Sequence, residues 1–279
     1  MKILVVGAGQ MGAGIAQVAG ASGNDVMLND IDDAAIRRGV QAIAKQLDRA
    51  VDKGNLERSA AEKTLANIRA HPELDKPVDV DVAIEAASED EALKKQLFQT
   101  LDRRTPPNAI LASNTSSISI TKLGAVTQRP GKVVGMHFMN PVPVMKLVEI
   151  VRGIATTDET LATIKTLAQS LGKTAVEVND SPGFVSNRIL MPMINEAIYA
   201  HMEGVGSSEA IDTVMKLGMH HPMGPLELAD FIGLDTCLAI MQVLYEGFAD
   251  SKYRPCPLLK KMVAAGYLGK KSGRGFYRY

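Results

Sequence analysis

Only two cysteines, Cys237 and Cys256, occur in the 279 residues. Two thiols make no disulfide framework, and their spacing is not that of a metal site. They read as reduced thiols, which fits a cytoplasmic protein. No charge of either sign is in excess, because 31 Lys plus Arg balance 31 Asp plus Glu. A formal net charge of zero argues against a nucleic-acid footprint and against a polybasic membrane patch. No apolar run reaches the ~18 residues a membrane helix requires. The first run is broken by Gly7 and is followed by no small-residue cleavage site, so it is not read as a signal peptide. No His/Cys/Asp/Glu cluster has metal-ligand spacing. Neither a G-x-S-x-G elbow nor a Walker sequence is present. There is no internal repeat and no low-complexity tract. What remains is a chain with 46% apolar residues, long enough for two domains and a large core.

The most informative stretch is at the start. Ile3 to Val6 form a short apolar run, as a buried parallel strand requires. Gly7, Gly9 and Gly12 follow in the spacing G-x-G-x-x-G. A second apolar run, Val26 to Leu28, then ends in Asn29 and Asp30. Gly7 allows a tight turn, Gly9 lets the backbone approach a pyrophosphate, and Gly12 lets a helix pack close to the strand. A helix starting near Gln10 points free N–H groups and its positive dipole end at the phosphates. Asp30 accepts hydrogen bonds from a ribose 2′-hydroxyl. The motif follows a strand, opens a helix and has its acid at the expected distance, which makes it more than a glycine-rich turn. A carboxylate there repels a 2′-phosphate, and no Arg follows Asp30 until Arg37, so NAD is expected over NADP.

Strands are expected near 2–6, 25–29, 80–85, 109–112 and 132–138, with helices between them near 10–22, 32–53, 58–66 and 89–102. Runs at 146–151 and 174–178 extend the sheet around a helix at 158–171. This alternation predicts an α/β, Rossmann-type, mostly parallel sheet with helices on both faces. Ser181-Pro182-Gly183 is a breaker. Beyond it the pattern is helical, near 184–203, 207–217, 225–248 and 256–266. The expected domains are therefore residues 1–182, which bind NAD, and an all-α domain over residues 183–279. The charged stretch Leu47 to Lys63 predicts an exposed helical hairpin. Its surface is either simply solvated or brings Lys53 to a phosphorylated substrate handle.

Chemistry needs a base, an orienter and groups near the carboxyl ends of the strands. His137 closes one apolar run, and Glu149 interrupts another. A carboxylate flanked by Leu147, Val148, Ile150 and Val151 is at least partly desolvated and needs a partner. His137 is the nearest in sequence. If the two pair, Glu149 fixes the tautomer and His137 takes a proton from a substrate hydroxyl as hydride leaves for nicotinamide. A purely structural pair fits the spacing equally well. Ser113-Asn-Thr-Ser-Ser117 follows another strand end and reads as ligand contact or helix cap. Asn187 follows the breaker and reads as a substrate contact or an exposed amide. His220 and His221 read as loop residues, and His71 and His201 lie in charged or exposed contexts.

These residues match a known pattern. The blocks Gly7 to Ala16, Ser113 to Ser117 and His137 to Glu149 resemble the short L-3-hydroxyacyl-CoA dehydrogenases. So do the blocks Asp180 to Arg188, Gly224 to Asp230 and Gly273 to Tyr277. The resemblance covers essentially the whole chain. It implies reversible, NAD-dependent oxidation of an (S)-3-hydroxyacyl-CoA to a 3-oxoacyl-CoA, with short chains such as 3-hydroxybutyryl-CoA and acetoacetyl-CoA expected. It implies a catalytic His137 with Glu149 as partner, and Ser116 and Asn187 as substrate-positioning residues. The implied cofactor contacts are Gly7, Gly9, Gln10, Met11, Gly12, Asp30, Glu89, Lys94, Asn114 and Asn140. Lys53 is implied near the CoA phosphates. A homodimer joined through the helical domain is also implied, with apolar stretches such as Leu238 to Leu244 suited to the interface.

Overall fold

A computed structural model describes all 279 residues. The chain forms two compact units, Met1–Asp180 and Ser181–Tyr279. In the first unit the elements run β1 (Lys2–Val6), α1 (Gln10–Ala21), β2 (Asp25–Asn29), α2 (Asp33–Asp52), α3 (Arg58–Ala66) and β3 (Ile68–Ala70). They continue with β4 (Val82–Glu85), α4 (Glu91–Arg104), β5 (Ile110–Ser113), α5 (Ile120–Gly124) and β6 (Val133–Phe138). The last three are β7 (Leu147–Arg152), α6 (Asp158–Ser170) and β8 (Thr174–Asn179).

The eight strands make one sheet in the order β3-β2-β1-β4-β5-β6-β7-β8. Every pair is parallel except β6 with β7, which is antiparallel. β4, β5 and β6 are buried at every residue, as strands covered on both faces must be. After β3 the chain crosses back past β1 to start β4, so β1 and β4 flank the point where strand order reverses. Five strands, β4 to β8, have an end one or two residues from the bounds expected from sequence, and β3 is not among the expected strands. It is three residues long and buries only Ile68, so it carries no alternating pattern.

The second unit is helical: α7 (Ser186–Met202), α8 (Ser208–Gly218), α9 (Pro225–Ile232), α10 (Leu234–Phe248) and α11 (Pro257–Ala264). The single helix expected over 225–248 is instead two, bent by 99°. Gly233 sits between them at φ 103°, a conformation that a side-chain-bearing residue rarely adopts. The stretch Leu238 to Leu244 does not form an exposed face either. Cys237, Met241 and Leu244 are buried in this unit's own core, and Leu238 packs against it. Exposed apolar residues of this unit include Val214, Leu217 and Met219 around α8, Phe231 on α9, Ile189 on α7 and Tyr245 on α10. Two buried aspartates tie this unit together. Asp212 accepts from the N–H groups of Leu226 and Glu227 at the start of α9 and from the Tyr277 hydroxyl. Asp230 accepts from Phe276 and Tyr277 N–H and the Tyr279 hydroxyl, which pins the C-terminal tail. Both cysteine thiols are free and buried, and burial pushes Cys237 up to about 12. No single helix is long and apolar enough to cross a membrane.

Candidate active site

The carboxyl ends of four neighbouring strands lie in one row. Val6 is level with Asn29 on β2 and Glu85 on β4, and Glu85 is level with Ser113 on β5. Loops leaving this row at a switch point are where an open α/β sheet binds ligands. A cavity of about 480 Å³ lies there, lined among others by Gly7, Gly9, Asp30, Ile31 and Ala86.

The glycine loop fits a dinucleotide. Gly7 adopts φ 105°, and a Cβ at Gly12 would stand 1.7 Å from the Gly7 carbonyl oxygen, so α1 packs directly on the turn. A Cβ at Gly9 would meet nothing within 4 Å, which leaves the approach to the loop open. α2, α4 and α6 are capped by the side chains of Asp32, Asp90 and Thr157, whereas α1 has no side-chain cap. Its first N–H groups, from Gln10 and Met11 onward, are the kind of donors a pyrophosphate takes. Met11 packs against the core below. Asp30, just past the end of β2, accepts from Ala8 N–H at 2.6 Å and Ile31 N–H at 2.7 Å. The carboxylate is thereby fixed at the cavity wall where a ribose hydroxyl would reach it.

The antiparallel register sets His137 directly opposite Glu149. Residues so paired share one face of the sheet. Their side chains meet, with His137 Nδ1 2.8 Å from Glu149 Oε2, and they are 9% and 3% exposed. Around them the backbone is braced. Asn114 Oδ1 accepts from Phe138 N–H at 2.9 Å, tying the loop after β5 to the strand that carries His137. Gln10 Nε2 donates to Asn140 Oδ1 at 3.1 Å, tying the start of α1 to the loop after β6. The buried ammonium of Lys173 donates to the carbonyls of Val142 (2.5 Å) and Met145 (2.8 Å), which clamps the connection between β6 and β7. Burial lowers the Lys173 pKa.

A second polar cluster was only half legible in the sequence. Glu85 is fully buried at the end of β4. Its Oε1 accepts from Lys94 Nζ at 2.6 Å and Ala87 N–H at 2.7 Å, and its Oε2 accepts from the Ser113 hydroxyl at 2.6 Å. Lys94 is itself buried, donates to the Ala87 carbonyl and lies 3.4 Å from Glu89 Oε2. Glu89 gathers the following loop. Its Oε1 accepts from the hydroxyls of Thr115, Ser116 and Ser117 and from the N–H groups of Ser116 and Ser117. Burial opposes ionisation of Glu89, but the Lys94 ammonium and these donors outweigh it and hold its pKa below the usual glutamate value. Glu89 and Lys94 are implied by the family resemblance, whereas Glu85 is not. The signal was available, since Val82-Ala-Ile-Glu85 ends an apolar strand in an acid.

Asn187 lies in the second unit, buried in the first turn of α7, with its backbone N–H donating to the Gly183 carbonyl. Lys53 caps the C-terminus of α2 and is exposed. The hairpin it belongs to is amphipathic, burying Leu47 on α2 and Ala61 on α3 while its outer face is solvated. His220, at φ 58°, and His221 lie in the loop between α8 and α9.

Comparison with known proteins then places the chain. The profile of the 3-hydroxyacyl-CoA dehydrogenase NAD binding domain matches residues 2–181, and that of the family's C-terminal domain matches residues 183–279. A probable 3-hydroxybutyryl-CoA dehydrogenase of Bacillus subtilis is 59% identical over 278 residues, covering 100% of this chain and 97% of the relative. The mitochondrial hydroxyacyl-coenzyme A dehydrogenase of Homo sapiens is 41% identical, covering 99% of this chain and 90% of its own. The crystal structure of (S)-3-hydroxybutyryl-CoA dehydrogenase PaaH1 from Ralstonia eutropha superimposes with a TM-score of 0.96 at 52% identity, covering 100% and 98% of the two chains.

Proposed function

The chain belongs to the 3-hydroxyacyl-CoA dehydrogenase family and is an NAD-dependent oxidoreductase, and on that premise we propose that it interconverts (S)-3-hydroxybutyryl-CoA and acetoacetyl-CoA by His137–Glu149 acid–base catalysis. The observation that carries this reading is the buried 2.8 Å contact between His137 Nδ1 and Glu149 Oε2. A carboxylate acceptor at Nδ1 keeps a proton there and makes Nε2 the basic nitrogen. In the oxidative direction Nε2 takes the proton of the substrate 3-hydroxyl, and Glu149 stabilises the imidazolium that results. In reduction the imidazolium returns the proton to the 3-oxo oxygen. NAD, when bound, supplies the hydride acceptor. The glycine loop and Asp30 would hold its pyrophosphate and ribose. Glu89, Lys94 and Asn114 would line its nicotinamide half. Asn140 is held by Gln10 beside the loop.

Ser116 and Asn187 are assigned to the substrate carbonyl or hydroxyl, and Lys53 to the CoA phosphates. The names of the relatives support a four-carbon acyl group. The exposed apolar side chains on α8 and α9 support a homodimer through the second unit, and the reduced, buried thiols support a cytoplasmic setting.

The reading is tested by following NADH absorbance with acetoacetyl-CoA and with small free hydroxy acids and their ketones. Turnover is expected on the CoA ester and not on the free acids. Equal rates on both, or none on the ester, would contradict it. A related β-hydroxyacid dehydrogenase with a lysine acid–base is disfavoured because the buried pair here is His with Glu.

A further inference from the structure

The cluster of Glu85, Lys94 and Glu89 holds two carboxylates and one ammonium, so its formal charge is uneven. Lys94 Nζ stands 2.6 Å from Glu85 Oε1 and 3.4 Å from Glu89 Oε2, so it pairs first with Glu85. The exposure is as uneven as the charge. The Glu85 and Lys94 side chains are 0% and 1% exposed, whereas that of Glu89 is 38% exposed. The remaining partners of Glu89 Oε1 are neutral hydroxyls and backbone N–H groups from residues 115–117, which orient its charge without cancelling it.

Position gives that charge a target. In a doubly wound sheet the dinucleotide spans the switch point, with one half over the strands on each side. Asp30 marks the β2 side as the adenosine half. The nicotinamide half then lies over the ends of β4 and β5, where the loops bearing Glu89 and residues 114–117 leave the sheet. We infer that Glu85 is a positioning residue: by taking up the charge of Lys94 it leaves one net negative charge on Glu89 beside the nicotinamide, which favours binding of the cationic oxidised ring over the neutral reduced ring. The inference rests on NAD as the cofactor and goes beyond it, since no part of NAD recognition as such requires a buried Glu85.

The alternative is that Glu85 only holds the two loops together. The two roles differ in charge. Removing a loop brace weakens both nucleotides alike. Removing one negative charge weakens NAD+ relative to NADH. The experiment is to measure the Kd of NAD+ and of NADH, by titration calorimetry and NADH fluorescence, for the wild type, Glu85→Gln, Glu89→Gln and the double variant Glu85→Gln/Lys94→Met.

Each single variant lowers the negative charge of the cluster by one. Each is expected to raise the ratio Kd(NAD+)/Kd(NADH) at least about tenfold, the size of effect that unit charges roughly 12 Å apart have at an effective dielectric of about 20. The double variant removes opposite charges and leaves Glu89 its donors from residues 115–117; measured at about pH 8, far above the ordinary glutamate pKa, it is expected to restore the wild-type ratio. Equal shifts of both Kd values in Glu85→Gln, or a double variant that does not restore the ratio, overturns the inference. Should Glu85→Gln not fold, Glu89→Gln against the double variant decides it the same way. A wild type that binds neither nucleotide overturns the cofactor reading and the inference with it. One that binds both while the ratio stays constant across the variants overturns the inference alone.

Discussion

At the scale of single residues, the deciding feature is which acids are buried and what each one meets. Glu149 was legible because it interrupts an apolar run, and the register delivers the partner that its burial demands. Glu85 carries the same signature at the end of β4, but its partner Lys94 comes from the next helix, and no local pattern announces that contact. Lys94 itself, an ordinary helical lysine by sequence, turns out to be almost fully buried. Glu89 gives a pH prediction. Its pKa is held below the ordinary 4.5 by Lys94 and the serine-loop donors acting against burial. A depressed carboxylate contributes stability above its ordinary pKa, and that contribution is lost as pH falls through the lowered value. The pH-dependent part of the difference in urea midpoint between wild type and Glu89→Gln is therefore expected to be constant well above pH about 4.5, to shrink as pH falls below that value, and to be gone only below the lowered folded-state pKa. A difference that disappears already near neutrality would show that the carboxylate is not held down.

The elements were legible wherever one pattern dominates. Apolar strands and the intervening amphipathic helices gave β1, β2 and α1 within a residue of their observed ends. Elements set by a single residue were not. β3 buries one side chain, and the break between α9 and α10 depends on the left-handed turn at Gly233. The loop opening α1 separates two effects of one methyl group. Gly12→Ala places a Cβ 1.7 Å from the Gly7 carbonyl oxygen, so the helix must move. A loss of about 1–3 kcal/mol in unfolding free energy is expected by urea denaturation, together with weaker NADH binding. Gly9→Ala meets nothing within 4 Å. It is expected to leave stability within about 0.5 kcal/mol of wild type while weakening NADH at least tenfold, since its methyl group occupies the pyrophosphate approach. NADH affinity unaffected by Gly9→Ala would mean that the phosphates lie elsewhere.

At the scale of the whole molecule, the sequence carried the α/β class, the order of the two units and the family, because long patterned segments and short specific motifs agree on them. The apolar stretch Leu238 to Leu244, expected to suit self-association, turns Met241 and Leu244 into its own unit's core, because an apolar helix in a small helical unit serves its own core first. The exposed residues around α8 and α9 now carry that expectation. Leu217→Asp is expected to shift the sedimentation coefficient from dimer to monomer without loss of helical circular dichroism, and an unshifted boundary would place the interface elsewhere. The most direct measurement of the central claim is the turnover of acetoacetyl-CoA by His137→Asn and Glu149→Gln, set beside the NADH Kd of each. A catalytic dyad predicts kcat lower by ~10²–10⁴-fold in His137→Asn and reduced in Glu149→Gln, with NADH affinity near that of the wild type in both. Full turnover without the imidazole, or a loss of NADH binding as large as the loss of rate, would contradict it.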